Sequence, residues 1–193
     1  ILMSEFDIDF TLTGDVEKDV LRFFDFYLLE EIKSHTLSVS YKAKELAELF
    51  HCAPEQAYIA GLLHDIGQVI PTDKRVEFCE TMDIPMFNEE RMAPTVLHSK
   101  ISRYLAQKIF LIRDEHILHA VECHSTLCKK SNSLDQILFV ADKLQWDEKD
   151  NAMFVGNIDQ FIFKVLAANL AEAGGDHAQR LDPFLPALYR HLG

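Results

Sequence analysis

The stretch AGLLHDIGQ, residues 60–68, sets a histidine and an aspartate side by side in an otherwise apolar run. Imidazole nitrogens and carboxylate oxygens together form a ligand set for a divalent transition metal. A buried carboxylate without a positive partner is costly, so Asp65 needs a cation beside it. Two distant residues meet the same condition. His35 precedes Val39, Ala43 and Leu46 by 4, 8 and 11 positions, which puts it on the buried stripe of a helix. Asp142 follows Leu138 by four positions in LDQILFVADK and shares its inward arc. Taken singly, each of His35, His64, Asp65 and Asp142 is explained better by a hydrogen bond within the core. Taken together, two inward histidines and two inward carboxylates fit one divalent metal. His98 and His124 lie on inward stripes as well. His124 follows Ile117 and Val121 by seven and three positions, and His98 shares an arc with Ile101, Leu105 and Ile109. His51, His116, His119, His177 and His191 fall off that stripe, near a helix end or in the tail, and read as surface residues.

Helices must position these side chains. Apolar residues recur at helical spacing over 15–32 (Val16, Val20, Phe23, Phe24, Tyr27) and over 35–50 (Val39, Ala43, Leu46, Phe50). Pro54, at a first helical position, opens a third helix running through Leu62 and Leu63 towards Gly67. His64 and Asp65 are therefore expected on one helix, roughly 100° apart. A short helix over 73–82 interrupts a proline-punctuated connection, and further helices are expected at 95–110, 114–126 and 133–146. The last opens on Ser133 with Gln136 three residues on, a capping-box pattern. Two more helices are expected, one from Asn157 to the Gly174-Gly175 pair and one from Asp182-Pro183. There is no strand pattern and no fixed-period repeat.

Composition narrows the function classes. A chain of 193 residues that is 48% hydrophobic can bury one sizeable core, so residues 1–193 are read as a single all-α domain. Its 19 basic and 31 acidic residues leave a charge of -12, which excludes a broad phosphate-backbone footprint and any nucleic-acid partner. No apolar run reaches the roughly 18 residues of a membrane span, and no basic, then apolar leader opens the sequence. Cys52, Cys79, Cys123 and Cys128 form no C-x-x-C pair and are expected as reduced thiols, which fits a cytoplasmic location.

The ordered set of His35, His64-Asp65 and Asp142 resembles the HD phosphohydrolase superfamily, and Gly67 of HDIG strengthens the likeness. A narrower resemblance covers roughly residues 30–150. HTLSVSYKAKELAELF, PEQAYIAGLLHDIGQ, APTVLHSKISRYLAQKIF, ILHAVECHST and LDQILFVADK are similar, in order and spacing, to the YqeK-type symmetrical diadenosine tetraphosphate hydrolases. The resemblance implies an all-α HD-domain helical bundle with a metal site in its core. It implies hydrolysis of a dinucleoside tetraphosphate to two nucleoside diphosphates at an iron centre. His35, His64, Asp65 and Asp142 match the metal-ligand motifs, and His98, His124, Ser125 and Thr126 match the phosphate-contacting ones. Mixed nitrogen and oxygen ligands suit Fe, Mn or Co. In the implied chemistry Asp65 orients a water, and His98 and His124, if protonated, stabilise charge on the transferred phosphoryl. A neutral core histidine, or a ligand of a second metal, are the other readings of His98 and His124.

The chain departs from the family pattern where substrate would be held. Gln68 stands in place of a common lysine, Leu127 in place of a common glycine, and ADKLQWDEK in place of ADYIEP. One cation fewer faces a polyphosphate, with Lys33, Lys100, Arg103, Lys129, Lys130 and Lys143 as candidates to compensate. On this basis Gln68→Lys should favour a tetraphosphate substrate. Another nucleotide substrate for the same fold, or a catalytically weak nucleotide-binding module, are the alternative functions, and a homodimer is left open.

Overall fold

The computed structural model describes residues 10–128 and 130–146. Among them the helices are α1 (Val16–Phe26), α2 (Glu30–Leu49), α3 (Pro54–Leu63), α4 (Arg75–Thr81), α5 (Asn88–Met92), α6 (His98–Lys108), α7 (Glu115–Cys123) and α8 (Ser133–Trp146). Short 3-10 turns at Ile66–Val69, Thr72–Lys74 and Pro94–Leu97 join them, and no described residue is in a strand. One compact unit ends at Asp142, and Lys143 begins a second. The single-domain reading and the two expected C-terminal helices extend outside the described residues.

Local chemistry accounts for where several helices begin. The Asp15 carboxylate accepts from the Lys18 amide at 3.1 Å and starts α1, and Pro54 starts α3 at a position that needs no amide hydrogen. The α8 cap differs from expectation: Asn132 Oδ1 accepts from the amides of Leu134 and Asp135 at 2.8 and 3.2 Å, so Asn132 and not Ser133 is the cap. The expected 15–32 helix is two helices. Leu28 has φ 57°, which ends α1, and α2 starts at Glu30, five residues before His35. The third helix is also shorter than its apolar run. It stops at Leu63, with His64 as its cap, and Asp65 already has φ -109° and ψ 9° outside the helix.

Phe23, Phe24, Leu62, Leu63, Ile66, Ile70, Leu97, Ile101, Leu118 and Leu138 form the centre of the core. Each such side chain contributes about 1.5–3 kcal/mol on burial, which offsets the cost of the polar cluster they enclose. Two glycines set the spacing of that cluster. A Cβ on Gly61 would collide with the Ser40 backbone of α2, so the glycine lets α2 and α3 close and brings His35 towards His64. A Cβ on Gly67 would strike the His98 carbonyl and lie 2.7 Å from the Ser102 amide. The bare backbone there presses onto α6, where the Gly67 amide donates to Ser102 Oγ at 2.8 Å.

Candidate metal centre

Seven of the eight sequence-predicted residues converge, six of them as the histidine–aspartate cluster. His35 comes from the second turn of α2, His64 caps α3, Asp65 follows it, His98 opens α6, His124 caps α7 and Asp142 lies in α8. His35 Nε2 is 3.0 Å from Asp142 Oδ1 and 3.9 Å from Asp65 Oδ2. His64 Nε2 is 3.5 Å from Asp65 Oδ2 and 3.7 Å from Asp142 Oδ1. The other oxygen of Asp65 faces a second pair, 3.3 Å from His98 Nε2 and 3.7 Å from His124 Nε2. Asp65 thus bridges two donor sets. Ser125 Oγ joins the second set, 3.2 Å from His98 Nε2 and 3.3 Å from His124 Nε2, whereas Thr126 is exposed one residue beyond.

Three of these rings are held in the same way. The Nδ1 of His64, His98 and His124 donates to the carbonyl three residues earlier, on Gly61, Thr95 and Val121, at 2.7, 2.6 and 2.7 Å. A carbonyl only accepts, so each Nδ1 carries the hydrogen and each neutral ring turns a bare Nε2 into the cluster. His64 Nε2 is buried without a hydrogen-bond partner. The Nε2 atoms of His98 and His124 stand 3.0 Å apart, and the Ser125 hydroxyl has one hydrogen for the two of them. Converging lone pairs and two carboxylates demand a cation, so the donor set fits a divalent metal. Two triads have their ligand atoms within 4.8 Å of one another, His35–His64–Asp142 and His64–Asp65–His124.

Burial acts on each charge state. It works to raise the pKa of Asp65, but His64, His124 and His98 outweigh it against the opposing Asp142, and the net shift is downward. Burial lowers His124 to about 3, helped by His64 and His98, and also lowers His98. Burial thus favours the neutral form of both His98 and His124, in which Nε2 accepts a hydrogen bond or binds a cation.

Arg75 was hidden from sequence reasoning. It lies in a polar segment, TDKRVE, that looks like surface, yet only 3% of it is exposed. Its guanidinium donates to Ile70 O at 3.0 Å, Thr95 O at 2.8 Å and Gln68 Oε1 at 2.6 Å, and Gln68 Nε2 in turn donates to Asp65 Oδ1 at 3.3 Å. A cation therefore does stand behind Gln68. Of the surface candidates, Lys33 pairs with Asp25 and Glu30, Lys100 with Glu90, and Arg103 with Glu115 and Glu122, while Lys129 lies outside the described residues. His119 is also no plain surface residue, since its Nδ1 is 3.0 Å from the buried Asp135 Oδ2. Cys123 and Cys128 are disulfide-bonded, against the expected reduced state, while Cys52 and Cys79 are free.

The HD domain family model matches residues 32–147, the span that holds all six clustered residues. The chain belongs to the HD domain family. Its all-α fold is that of HD domains, which are metal-dependent, and its core holds His/Asp groups that could bind a metal. It is 47% identical over 118 residues to an uncharacterized protein in the pepC 5′ region of Lactococcus lactis subsp. cremoris, covering 61% of this chain and 58% of that one. It is 31% identical over 140 residues to a probable nicotinate-nucleotide adenylyltransferase/Ap4A hydrolase of Mycoplasma genitalium, covering 72% of this chain and 39% of the relative. A symmetrical bis(5′-nucleosyl)-tetraphosphatase of Bacillus subtilis is 28% identical over 118 residues, 61% of this chain and 63% of that enzyme. The chain thus spans less than two thirds of the length of each of these relatives. A crystal structure of a predicted HD superfamily hydrolase involved in NAD metabolism from Clostridium acetobutylicum superimposes with TM-score 0.67 at 25% identity, over 91% of this chain and 88% of that one. Among the described residues no helix is long and apolar enough to cross a membrane.

Proposed function

We propose that this HD domain hydrolyses a dinucleoside tetraphosphate symmetrically, releasing two nucleoside diphosphates, with diadenosine tetraphosphate as the leading substrate. The observation that carries this reading is the convergence of bare Nε2 atoms on the two-faced carboxylate of Asp65. The names of the Bacillus subtilis and Mycoplasma genitalium relatives supply the substrate. His35, His64, Asp65 and Asp142 would hold a divalent Fe, Mn or Co ion, for which mixed nitrogen and oxygen donors are suited. Such an ion would supply Lewis-acid polarisation of a phosphate oxygen and lower the pKa of a bound water towards about 7.

The chain's own groups do the rest. Asp65 Oδ1, between His98 and His124, is placed to accept a hydrogen bond from the attacking water and orient it. The partly exposed edges of His35 and His98 give the phosphates a way in. Ser125 Oγ, beside both Nε2 atoms, is a donor for a non-bridging phosphate oxygen. Arg75, acting through Gln68, keeps positive potential behind Asp65 without itself reaching solvent.

A second reading concerns metal number. His98 and His124 present unprotonated nitrogens 3.0 Å apart, an arrangement better matched to a second ion than to direct contact with an anion. A two-ion centre would use Asp65 as its bridge. Anaerobic assay of metal-loaded protein against diadenosine tetraphosphate, resolving two ADP from AMP plus ATP, tests the function. Two ADP per substrate is expected; AMP plus ATP, or turnover only with another nucleotide, refutes symmetrical cleavage.

A further inference from the structure

A second group of metal-ligating side chains shares no residue with the HD cluster. His119 and Cys123 lie four positions apart on α7 and so share one face, and Cys128 returns to them across the turn that follows. One ligand atom from each of His119, Cys123 and Cys128 lies within 4.8 Å of the others. Cys123 Sγ is 3.7 Å from His119 Nε2. A tetrahedral zinc site with Zn–S of about 2.3 Å and Zn–N of about 2.0 Å has sulfur-to-nitrogen edges of about 3.5 Å, so the spacing already approaches that of shared ligation.

A separate observation points to the same ligand. Asp135 is fully buried, its Oδ1 has no hydrogen-bond partner, and its Oδ2 is held by His119 Nδ1 at 3.0 Å and the Asn132 amide at 2.7 Å. A buried, half-satisfied carboxylate behind an imidazole is the arrangement that orients a metal-binding histidine, leaving the far nitrogen for the ion. It also places negative charge where a cation would relieve it.

The geometry points to a redox-gated metal site: once the Cys123–Cys128 bond is reduced, His119, Cys123 and Cys128 bind one thiophilic divalent ion of the zinc class. Asp135 positions the His119 ring, and a water completes the tetrahedron. In the disulfide form both sulfurs are spent on each other and the site is closed. Reduction by a phosphine opens it: the S–S bond breaks, the phosphine takes the oxygen of one water to become its oxide, and two thiols form. Metal binding then releases the thiol protons.

The test uses the full chain, reduced with a phosphine, freed of reductant without air and titrated with Co²⁺. Thiolate-to-cobalt charge transfer in the near ultraviolet is absent from histidine–carboxylate sites and so separates thiolate ligation from the HD cluster, and the oxidised protein, which keeps Cys52 and Cys79 free, controls for those thiols. The band should appear in reduced protein, be missing from oxidised protein and disappear when Zn²⁺ is added. It should survive Asp142→Ala, which damages only the HD cluster. Cys128→Ser should abolish it, and His119→Gln, which keeps both sulfurs, should weaken Co²⁺ binding at least about tenfold. Absence of the band in reduced wild-type protein overturns the proposal whatever the variants do. So does a band of equal strength before and after reduction, or one unchanged in a folded Cys128→Ser.

Discussion

Gln68→Lys reads from the sequence as restoring a missing cation for substrate, and the structure adds a cost in folding stability that the sequence did not show. Gln68 Oε1 accepts from Arg75 Nη2 at 2.6 Å, so a lysine at 68 forfeits that bond and sets an ammonium beside a buried guanidinium. A hydrogen bond involving a charged group is worth about 1.5–3 kcal/mol. Two like charges held about 4 Å apart repel by up to about 4 kcal/mol at an effective dielectric of 20. The lysine relieves part of this by turning towards Asp65 or solvent, so a net loss of about 2–4 kcal/mol in folding free energy is expected. In an Arg75→Met background the repulsion is gone and Asp65 is still there to receive the ammonium. The same Gln68→Lys change should then cost less than about 1 kcal/mol, although Arg75→Met alone is itself destabilising because it strips donors from Ile70 O and Thr95 O. Urea unfolding of the four proteins of this cycle, with chelator present so that metal binding does not contribute, measures the coupling. Burial keeps the pair poorly screened, so the coupling should persist as salt is raised. Effects that add within about 0.5 kcal/mol, or a Gln68→Lys chain more stable than its parent, would refute the relay from Arg75 to Asp65.

His124→Ala separates one metal from two: with a single ion at the proposed His35–His64–Asp65–Asp142 set, metal content holds while turnover falls about 10–1000-fold, whereas metal lost with activity supports the two-ion centre. Asp142→Ala should lose metal and activity together in either case, and full occupancy by metal analysis would sink that ligand assignment. Leu127 has φ 55°, a left-handed geometry that costs a non-glycine residue about 1–2 kcal/mol, so Leu127→Gly should be neutral or stabilising by up to about 1 kcal/mol in a thermal melt, and a clear drop in Tm counts against it. Asp19 carries an acid-sensitive contact: burial pushes its pKa up, but the Thr13 amide and hydroxyl, the Gly14 amide and Arg22 prevail and lower it. Its stabilisation is then complete above the unfolded value of about 3.9 and is lost as pH falls through the depressed folded value. Asp19→Asn should lower stability at pH 7 and flatten the acid limb, and an acid limb identical to the parent's would exclude the contact.

The clustering of His35, His64, Asp65 and Asp142 was legible because each of them interrupts an apolar stripe, and a polar residue there must be satisfied by something. Element type was legible for the same reason. Helix ends were not. Five described turns, at Leu28, His51, Asp83, Leu111 and Leu127, take positive φ without a glycine, so the usual stop signal is missing from the sequence. That is why one helix was expected over 15–32 where there are two; α3 ends without any positive φ, with Asp65 at φ -109°, inside an apolar run that reads as one continuous helix. Arg75 escaped because its burial depends on three acceptors brought together by tertiary structure, two of them backbone carbonyls that no residue pattern records. The Cys123–Cys128 bond escaped because it depends on how the chain turns after α7, and five residues of spacing do not fix that turn.

The three histidines that share a backbone contact explain how this cluster is held open for a cation. His64 and His124 each cap an α-helix, and His98 follows a 3-10 turn. The last carbonyls of a helix have no partner within it, and a ring at the cap that folds back three residues fills one of them. The same bond fixes the tautomer, so a single contact both finishes the helix and aims Nε2 inward. The carbonyl end of a helix also carries partial negative charge, and α3 and α7 both end here. Two helix C-termini, two carboxylates and several bare nitrogens make the site strongly negative in a chain whose net charge is already -12. A polyphosphate would be repelled by that field alone. On the proposed function it would become attractive only when cations fill the cluster, so metal loading would be the step on which substrate binding depends, with Arg75 the chain's own share of the positive charge. Equal affinity of the metal-free and metal-loaded forms for a non-hydrolysable tetraphosphate analogue, measured by calorimetry, would show that the field is not what governs binding.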